Sequence, residues 1–321
     1  MWRKKLAAAL CVAMLLGAVG CAAEETGYLP PATESMEQTY IEDEAVALAD
    51  APAAVPVTLV PERGALVKSN GRAEIDYSYT GDGYVMVRPL VDSGKRWKAQ
   101  VKGQTTTYTY NLTPGNWAVF PLSDGNGEYQ IVVYENVSGT SYAAVLSLRC
   151  SVTMNDEFGP FLHANQYVDY DVAPNTVAKA AELTATAQNE LEKVAAIYDY
   201  VVANITYDYE LASTVTSGYL PVLDRVLEKK SGICFDYAAL MTGMLRSQGV
   251  PCKLVVGYAG TVYHAWISVW TAEHGWVDNV VYFNGSAWQR MDPTFAAGGG
   301  KDPAIMRYIG DGSNYTARYF Y

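Results

Sequence analysis

The sequence predicts an α+β chain in which an all-β sandwich precedes a domain of helices followed by strands. Three observations lead there. Apolar and polar residues alternate, with turn signals at short intervals, between residues 52 and 153. From about residue 175 the apolar period becomes helical. Beyond that, a cysteine at a helix start is followed by one strand that begins at a histidine and another that ends at an aspartate.

At 321 residues the chain is too long for one ordinary domain and suits two. It is 50% hydrophobic and 18% charged, which excludes global disorder. A net charge of −11 argues against a nucleic-acid partner or an anionic membrane surface, since both need a positive face. There is no apolar run of ~20 residues, so no helix is expected to span a bilayer. The five cysteines contain no CxxC pair, which excludes a zinc ribbon and a thioredoxin-type motif.

Residues 1–21 read as an export signal: Arg3, Lys4 and Lys5 precede an apolar stretch from Leu6 to Gly20. Ala18-Val19-Gly20 before Cys21 resembles a bacterial lipobox, which makes Cys21 the candidate lipidation site, although Ala18 stands where a leucine is usual. Cys21-Ala22-Ala23 also suits an ordinary signal peptidase, and an uncleaved anchor is the third option. All three place the protein outside the cytoplasm, either on the outer face of the cell membrane as a lipoprotein or secreted. From Lys5 to Arg63 there is no basic residue, while nine acidic ones intervene, with Pro30, Pro31, Pro52 and Pro56 among them. A self-repelling, proline-broken segment stays extended, so 22–51 is expected to be a disordered linker. Its roughly 30 residues, at about 3.3 Å each, reach at most ~100 Å. It is either a spacer above a membrane or a solubilising tail.

Residues 52–153 are expected to form the sandwich. Ala73, Ile75, Tyr77 and Tyr79 alternate with polar residues, and Gly81-Asp82-Gly83 turns the chain into Tyr84–Val87. Further strands are expected at 97–101, 105–112, 116–120, 128–135 and 141–150, with turns at Asp92-Ser93-Gly94, Pro114-Gly115, Asp124–Gly127 and Ser138-Gly139. Seven or eight short strands at this spacing suggest an immunoglobulin-like sandwich, with Tyr129 placed like the tyrosine of a tyrosine corner. The region carries no acid/base or metal-ligand cluster, and is read as a spacing domain or a substrate-binding module.

In the second domain, 154–321, Asn189 and Glu192 have capping-box spacing. Leu191, Val194, Tyr198, Val201 and Ile205 then lie on one face of a helix ending near Asn204. Shorter helices are expected at 177–187 and 221–229. Gly232 permits a close approach, Cys234 opens a helix with Ala238, Met241 and Leu245 inward, and Gly249-Val250-Pro251 stops it. Cys252–Tyr258 and His264–Trp270 read as strands, and a third ends in Trp288–Thr294.

The order Gly232/Cys234, Leu245-Arg246-Ser247-Gln248-Gly249-Val250-Pro251, His264-Ala265-Trp266 and Asp292-Pro293-Thr294 resembles the core of the transglutaminase-like superfamily, cysteine enzymes with a papain-type triad. The resemblance covers residues 175–321. It implies Cys234 as nucleophile, His264 as general base and Asp292 as the acid that orients it. The chemistry agrees: a thiol is a poor nucleophile at its free pKa of ~8.5, and a helix N-terminus beside an imidazolium can lower that to roughly 3.5–7.5. An imidazole can take the proton and return it to a leaving amine, held from its far nitrogen by a carboxylate. The Cys234 N–H is a candidate oxyanion donor.

Each member has a plainer reading: a small core thiol, a satisfied core histidine, and, for the acid, the rival Asp278. His163 and His274 read as structural or exposed. Trp266 and Trp288 either line the acyl site or pack. Cys150 and Cys252 are expected as two buried, separate thiols, a disulfide between them requiring domain contact, and Gly298–Asp302 as a surface turn. No cofactor or metal is required. The predicted reaction is attack of Cys234 on an amide carbonyl, giving a thioester and releasing an amine or ammonia. Water as acceptor makes a peptidase or amidase and a lysine amine makes a cross-linker; hydrolysis is favoured, because nothing suggests a dedicated amine site. The partner is then a protein or peptide substrate, cell-wall peptide included. The competing class is a non-catalytic surface binding protein that keeps the fold.

Overall fold

The computed structural model describes residues 62–278, 281–283, 288–290 and 315–321. The expected signal with Cys21, the linker 22–51, Asp292 and the Gly298–Asp302 turn lie outside the described residues.

β-Branched and aromatic residues at every second position pack on one face of a pleat and leave polar residues on the other. β1 (Val67–Ser69), β2 (Ala73–Asp76), β3 (Tyr84–Pro89) and β6 (Ala118–Pro121) form one antiparallel sheet in that order. A second antiparallel sheet runs β5 (Thr107–Leu112), β4 (Trp97–Lys102), β7 (Gly127–Ser138), β8 (Ser141–Val152). Along β4, Trp97, Ala99 and Val101 are buried and the residues between them only partly so. These three share a core with Ile75, Val85 and Val87 of the first sheet. The Tyr129 hydroxyl lies 2.9 Å from the carbonyls of both Leu122 and Gly125, tying the β6–β7 connection to its own strand.

Downstream, α1 (Pro174–Thr184) opens on a proline, whose missing N–H is no loss in a first turn. α2 (Glu190–Asn204) opens where the Asn189 side chain accepts the Glu192 N–H at 2.9 Å, as the capping-box spacing requires. There follow β9 (Thr206–Tyr207), α3 (Tyr209–Thr214), α4 (Leu223–Lys229), β10 (Ser231–Gly232) and α5 (Cys234–Ser247). β11 (Cys252–Ala259), β12 (Val262–Thr271), β13 (Gly275–Val277) and β16 (Tyr315–Phe320) make an antiparallel sheet in the order β13-β12-β11-β16. β14 (Val281–Phe283) and β15 (Trp288–Arg290) pair with each other as a hairpin.

The centre of this half is α5. Every residue from Asp236 to Ser247 is buried, because α1, α2 and α4 pack against it and β11 and β12 lie across another face. A helix apolar on all sides belongs inside a protein, but this one carries Arg246, which is fully buried. Its guanidinium donates to the carbonyls of Cys252 at 2.9 Å, His163 at 2.7 Å and Tyr321 at 2.6 Å. Burial pulls its pKa down to about 10, so it remains charged at neutral pH. One side chain thereby joins the strand after the helix, the segment entering from the all-β region and the end of β16.

Tyr321 also links the two regions. It exchanges backbone hydrogen bonds of 2.8 Å with Leu254. Its ring lies 5.5 Å from Tyr108, 6.0 Å from Tyr110 and 4.7 Å from Tyr167. The Ser123 hydroxyl donates to the neighbouring Phe320 carbonyl at 2.6 Å. The all-β region and the helical region therefore share one continuous core. Despite that contact Cys150 and Cys252 are separate free thiols. Cys150, opposite Tyr129 in the β7–β8 pair, is only half-buried where a buried thiol was expected, because it lies on a strand with exposed neighbours, whereas Cys252 is buried 3.5 Å from the Thr242 hydroxyl.

Two outcomes are expected from these placements. Arg246→Lys keeps the charge and loses the planar fork; it should lower stability by about 2–4 kcal/mol in urea unfolding, and a loss under about 0.5 kcal/mol would contradict the assigned role. Separately, burial first and the charge of Asp169 second push the half-buried Asp171 carboxyl up to about 7. The folded chain then holds this proton more tightly than the unfolded chain, where a carboxyl titrates near 3.9. The contribution of Asp171 to stability must therefore fall as pH rises from about 4 to 7. In Asp171→Asn the urea midpoint should fall less steeply across that range, and an unchanged slope would count against the assignment.

Candidate active site

The chain is held at several points just before Cys234. Lys230 ends α4 in the left-handed region at φ 53, and its N–H bonds the Val226 carbonyl at 2.9 Å. β10 then pairs in parallel with β9. Flanking that pair, the Thr206 N–H donates to the Lys230 carbonyl and the Asp208 N–H to the Gly232 carbonyl, both at 2.9 Å. Ile233 is the cap residue of α5, and Cys234 is its first helical residue, half-buried against the core. The sequence expectation that Cys234 opens a helix therefore holds.

Isoleucine has no acceptor atom, so Ile233 puts no side-chain cap over the first-turn N–H groups of α5. Instead Asp236, one turn in and completely buried, reaches back to accept the Ile233 N–H at 2.9 Å. Its other oxygen accepts the Tyr219 hydroxyl at 2.7 Å. Burial raises the Asp236 carboxyl, while these two bonds pull it down again. Burial and the Asp236 bond raise the Tyr219 phenol, which keeps it protonated as the donor. Gly232 is required beside this carboxylate, because a Cβ there would lie 2.5 Å from the Asp236 Cβ. That is the close approach the glycine permits.

His264 sits near the start of β12, opposite Gly257 of β11, and is 5% exposed. Its ring lies 6.2 Å from that of Trp266 and 6.3 Å from that of Tyr315, and the latter two meet edge to face at 5.2 Å. Gly257 makes the arrangement possible: a Cβ would meet the Thr316 carbonyl oxygen at 2.1 Å and the Trp266 ring at 2.9 Å. Trp266 is 1% exposed and packs against the Tyr315 ring. The helix that begins at Cys234 packs on the strand that carries His264.

Asp292 lies outside the described residues, as does the Trp288 side chain. The rival Asp278 follows β13, whose Val277 pairs with Val269, five residues along β12 from His264. At about 3.4 Å per residue that is roughly 17 Å. Asp278 instead supports the charge of Lys253, whose ammonium is buried over Trp276 at 3.7 Å and Phe161 at 5.0 Å. His163 packs against Tyr84 at 5.1 Å, and burial lowers its imidazole. His274 is at the β12–β13 turn, where its N–H bonds the Thr271 carbonyl at 3.3 Å.

Sequence reasoning missed Asp236 and Tyr219. An acid three residues after a helix cap is the second half of a capping box, but Ile233 in the first position hides the pattern. Tyr219 lies in a loop without periodicity and left no signal.

A family profile described as the Transglutaminase-like superfamily matches residues 177–293. Over 181 residues the chain is 28% identical to the uncharacterized protein YebA of Bacillus subtilis, covering 50% of this chain and 24% of that one. It is 31% identical over 120 residues to the kyphoscoliosis peptidase of Mus musculus, covering 37% of this chain and 18% of that one. It is 32% identical over 68 residues to the protein-glutamine gamma-glutamyltransferase of Pseudomonas aeruginosa, covering 17% of this chain and 10% of that one. The chain thus spans a quarter or less of the length of these curated relatives. Cysteine-dependent enzymes are typical of the superfamily, and both peptidases and glutamyltransferases occur among these relatives. Residues 177–293 of this chain are a transglutaminase-like superfamily domain, set behind an all-β region.

Proposed function

We propose that this protein is an exported thiol acyl-transfer enzyme that acts on peptide or glutamine amides through a thioester on Cys234. The observation that carries the reading is the start of α5. Cys234 opens a helix whose cap residue Ile233 offers no acceptor to the first-turn N–H groups, and that helix packs on the strand bearing His264. The N-terminal end of a helix concentrates partial positive charge, which favours a thiolate and then an oxyanion.

In the proposed cycle the Cys234 sulfur attacks the amide carbonyl carbon after its proton passes to His264. The carbonyl oxygen takes the negative charge, with the Cys234 N–H as one donor. The C–N bond then breaks, and the nitrogen leaves with the proton returned by His264. Asp292 is the proposed orienting acid. The second half-reaction repeats these steps with the acceptor in the amine's place. Water gives hydrolysis, the favoured outcome, to which the likeness to a peptidase over 120 residues lends support. A lysine amine would give cross-linking, and the shorter match to a protein-glutamine gamma-glutamyltransferase keeps that as the second reading. Lipidation at Cys21 and the acidic spacer would place the enzyme on the outer face of the membrane, with secretion as the alternative. Proteins or peptides there, cell-wall peptides included, are the proposed substrates.

Incubation of the protein with a glutamine-containing peptide library, with and without a primary amine, should give backbone cleavage or conversion of glutamine to glutamate by mass spectrometry. Amine adducts as the main product would move the assignment to cross-linking. Products indistinguishable from those of Cys234→Ala would leave a non-catalytic binding protein.

A further inference from the structure

We infer that Asp236 is a positioning residue for Cys234, with Tyr219 as its latch: the carboxylate held between the Ile233 N–H and the Tyr219 hydroxyl fixes the start of α5 and with it the Cys234 N–H and thiol. The inference rests on the acyl-transfer reading of Cys234 and assigns residues outside its triad.

A helix start is ordinarily stabilised by a cap side chain that accepts first-turn N–H groups. Two described helices show it with the cap residue itself. Asn189 accepts the Glu192 N–H at 2.9 Å at the head of α2, and Asp208 accepts the Leu211 N–H at 2.8 Å at the head of α3. Both caps take the N–H three residues on, which at α5 is that of Asp236 and not the Cys234 N–H named as oxyanion donor. At α5 only the returning half of the capping box is kept. Asp236 satisfies the Ile233 N–H from inside the helix, and Ile233 contributes no acceptor in return. The first turn is thereby anchored from its buried side.

That anchor has its own support. Asp236 is completely buried, and Gly232 leaves room for it. Its second oxygen is taken by Tyr219, which is half-buried in a loop where Thr216, Ser217, Gly218 and Leu220 are all exposed. Gly218 holds a left-handed φ of 93 in that loop. The phenol is the attachment of an otherwise exposed loop to the head of α5. Any displacement of this loop is therefore transmitted to the carboxylate, and through Ile233 to the residue beside the nucleophile.

The test uses the full-length chain and two probes read at Cys234 by mass spectrometry. Acylation by p-nitrophenyl acetate needs both the thiol and the oxyanion donors, whereas alkylation by iodoacetamide needs only the thiol. Asp236→Ala should acylate at least 20-fold more slowly while its alkylation changes by less than 3-fold. Asp236→Asn, whose amide can still accept from Ile233 and donate to Tyr219, should acylate within 3-fold of the unmodified protein. Tyr219→Phe should lose 3- to 10-fold. Unchanged acylation in Asp236→Ala, or a loss in Asp236→Asn as large as in Asp236→Ala, would overturn the assignment. If Asp236→Ala fails to fold, unchanged acylation in Tyr219→Phe overturns it instead. Failure of the underlying reading is a separate result: the unmodified protein would then acylate at position 234 no faster than at Cys150.

Discussion

A charged side chain buried inside a protein must be hydrogen-bonded or paired, and the partners it takes fix the element that carries it. α5 carries one such side chain near each end, and the arrangement of the second half of the chain follows from the partners they take. At the C-terminal end Arg246 donates to three carbonyls from three separate segments. At the N-terminal end Asp236 takes one backbone and one phenol donor. Apolar packing alone would leave the rotation and height of such a helix loosely specified; these directional bonds remove that freedom. The helix is thus a fixed rod whose first residue is a cysteine.

The histidine side is fixed by different means. His264 lies beside two aromatic rings, Trp266 and Tyr315, that meet edge to face. Such pairs contribute of order 1 kcal/mol beyond their buried area, and here they restrict where an imidazole on the same strand can turn. Gly257 lets β16 and the indole come close to β11, and the bulge between Val256 and Gly257 falls at that point. The end of β16 also reaches Arg246 and the tyrosines of the all-β region. The same strand therefore supports the histidine, the central helix and the contact with the first half of the molecule.

Much of this was readable from residue order, and the exceptions have physical causes. The alternation of Trp97, Ala99 and Val101 and the Asn189–Glu192 pair are local patterns, and they produced β4 and α2 as expected. β9 and β10, of two residues each, are too short to carry a period. The bond from Tyr219 to Asp236 spans 17 positions of sequence, and the contact from Arg246 to Tyr321 spans 75. No local pattern encodes either. Of the candidate residues, Cys234 was marked by the motif and by the helix it opens. The packing of Trp266 on Tyr315, 49 positions away, has no local pattern behind it. The reading of Asp292 rested on the resemblance.

The central claim is that Cys234 and His264 act on an acyl carbonyl as one unit. The most direct measurement is the rate at which Cys234 takes up an acyl group from p-nitrophenyl acetate, followed by intact-mass and peptide-mapping mass spectrometry, in the unmodified protein and in His264→Ala. Rapid acylation at Cys234 that slows at least 100-fold without the imidazole is the predicted result. Equal rates in the two proteins, both no faster than an ordinary exposed thiol, would contradict it.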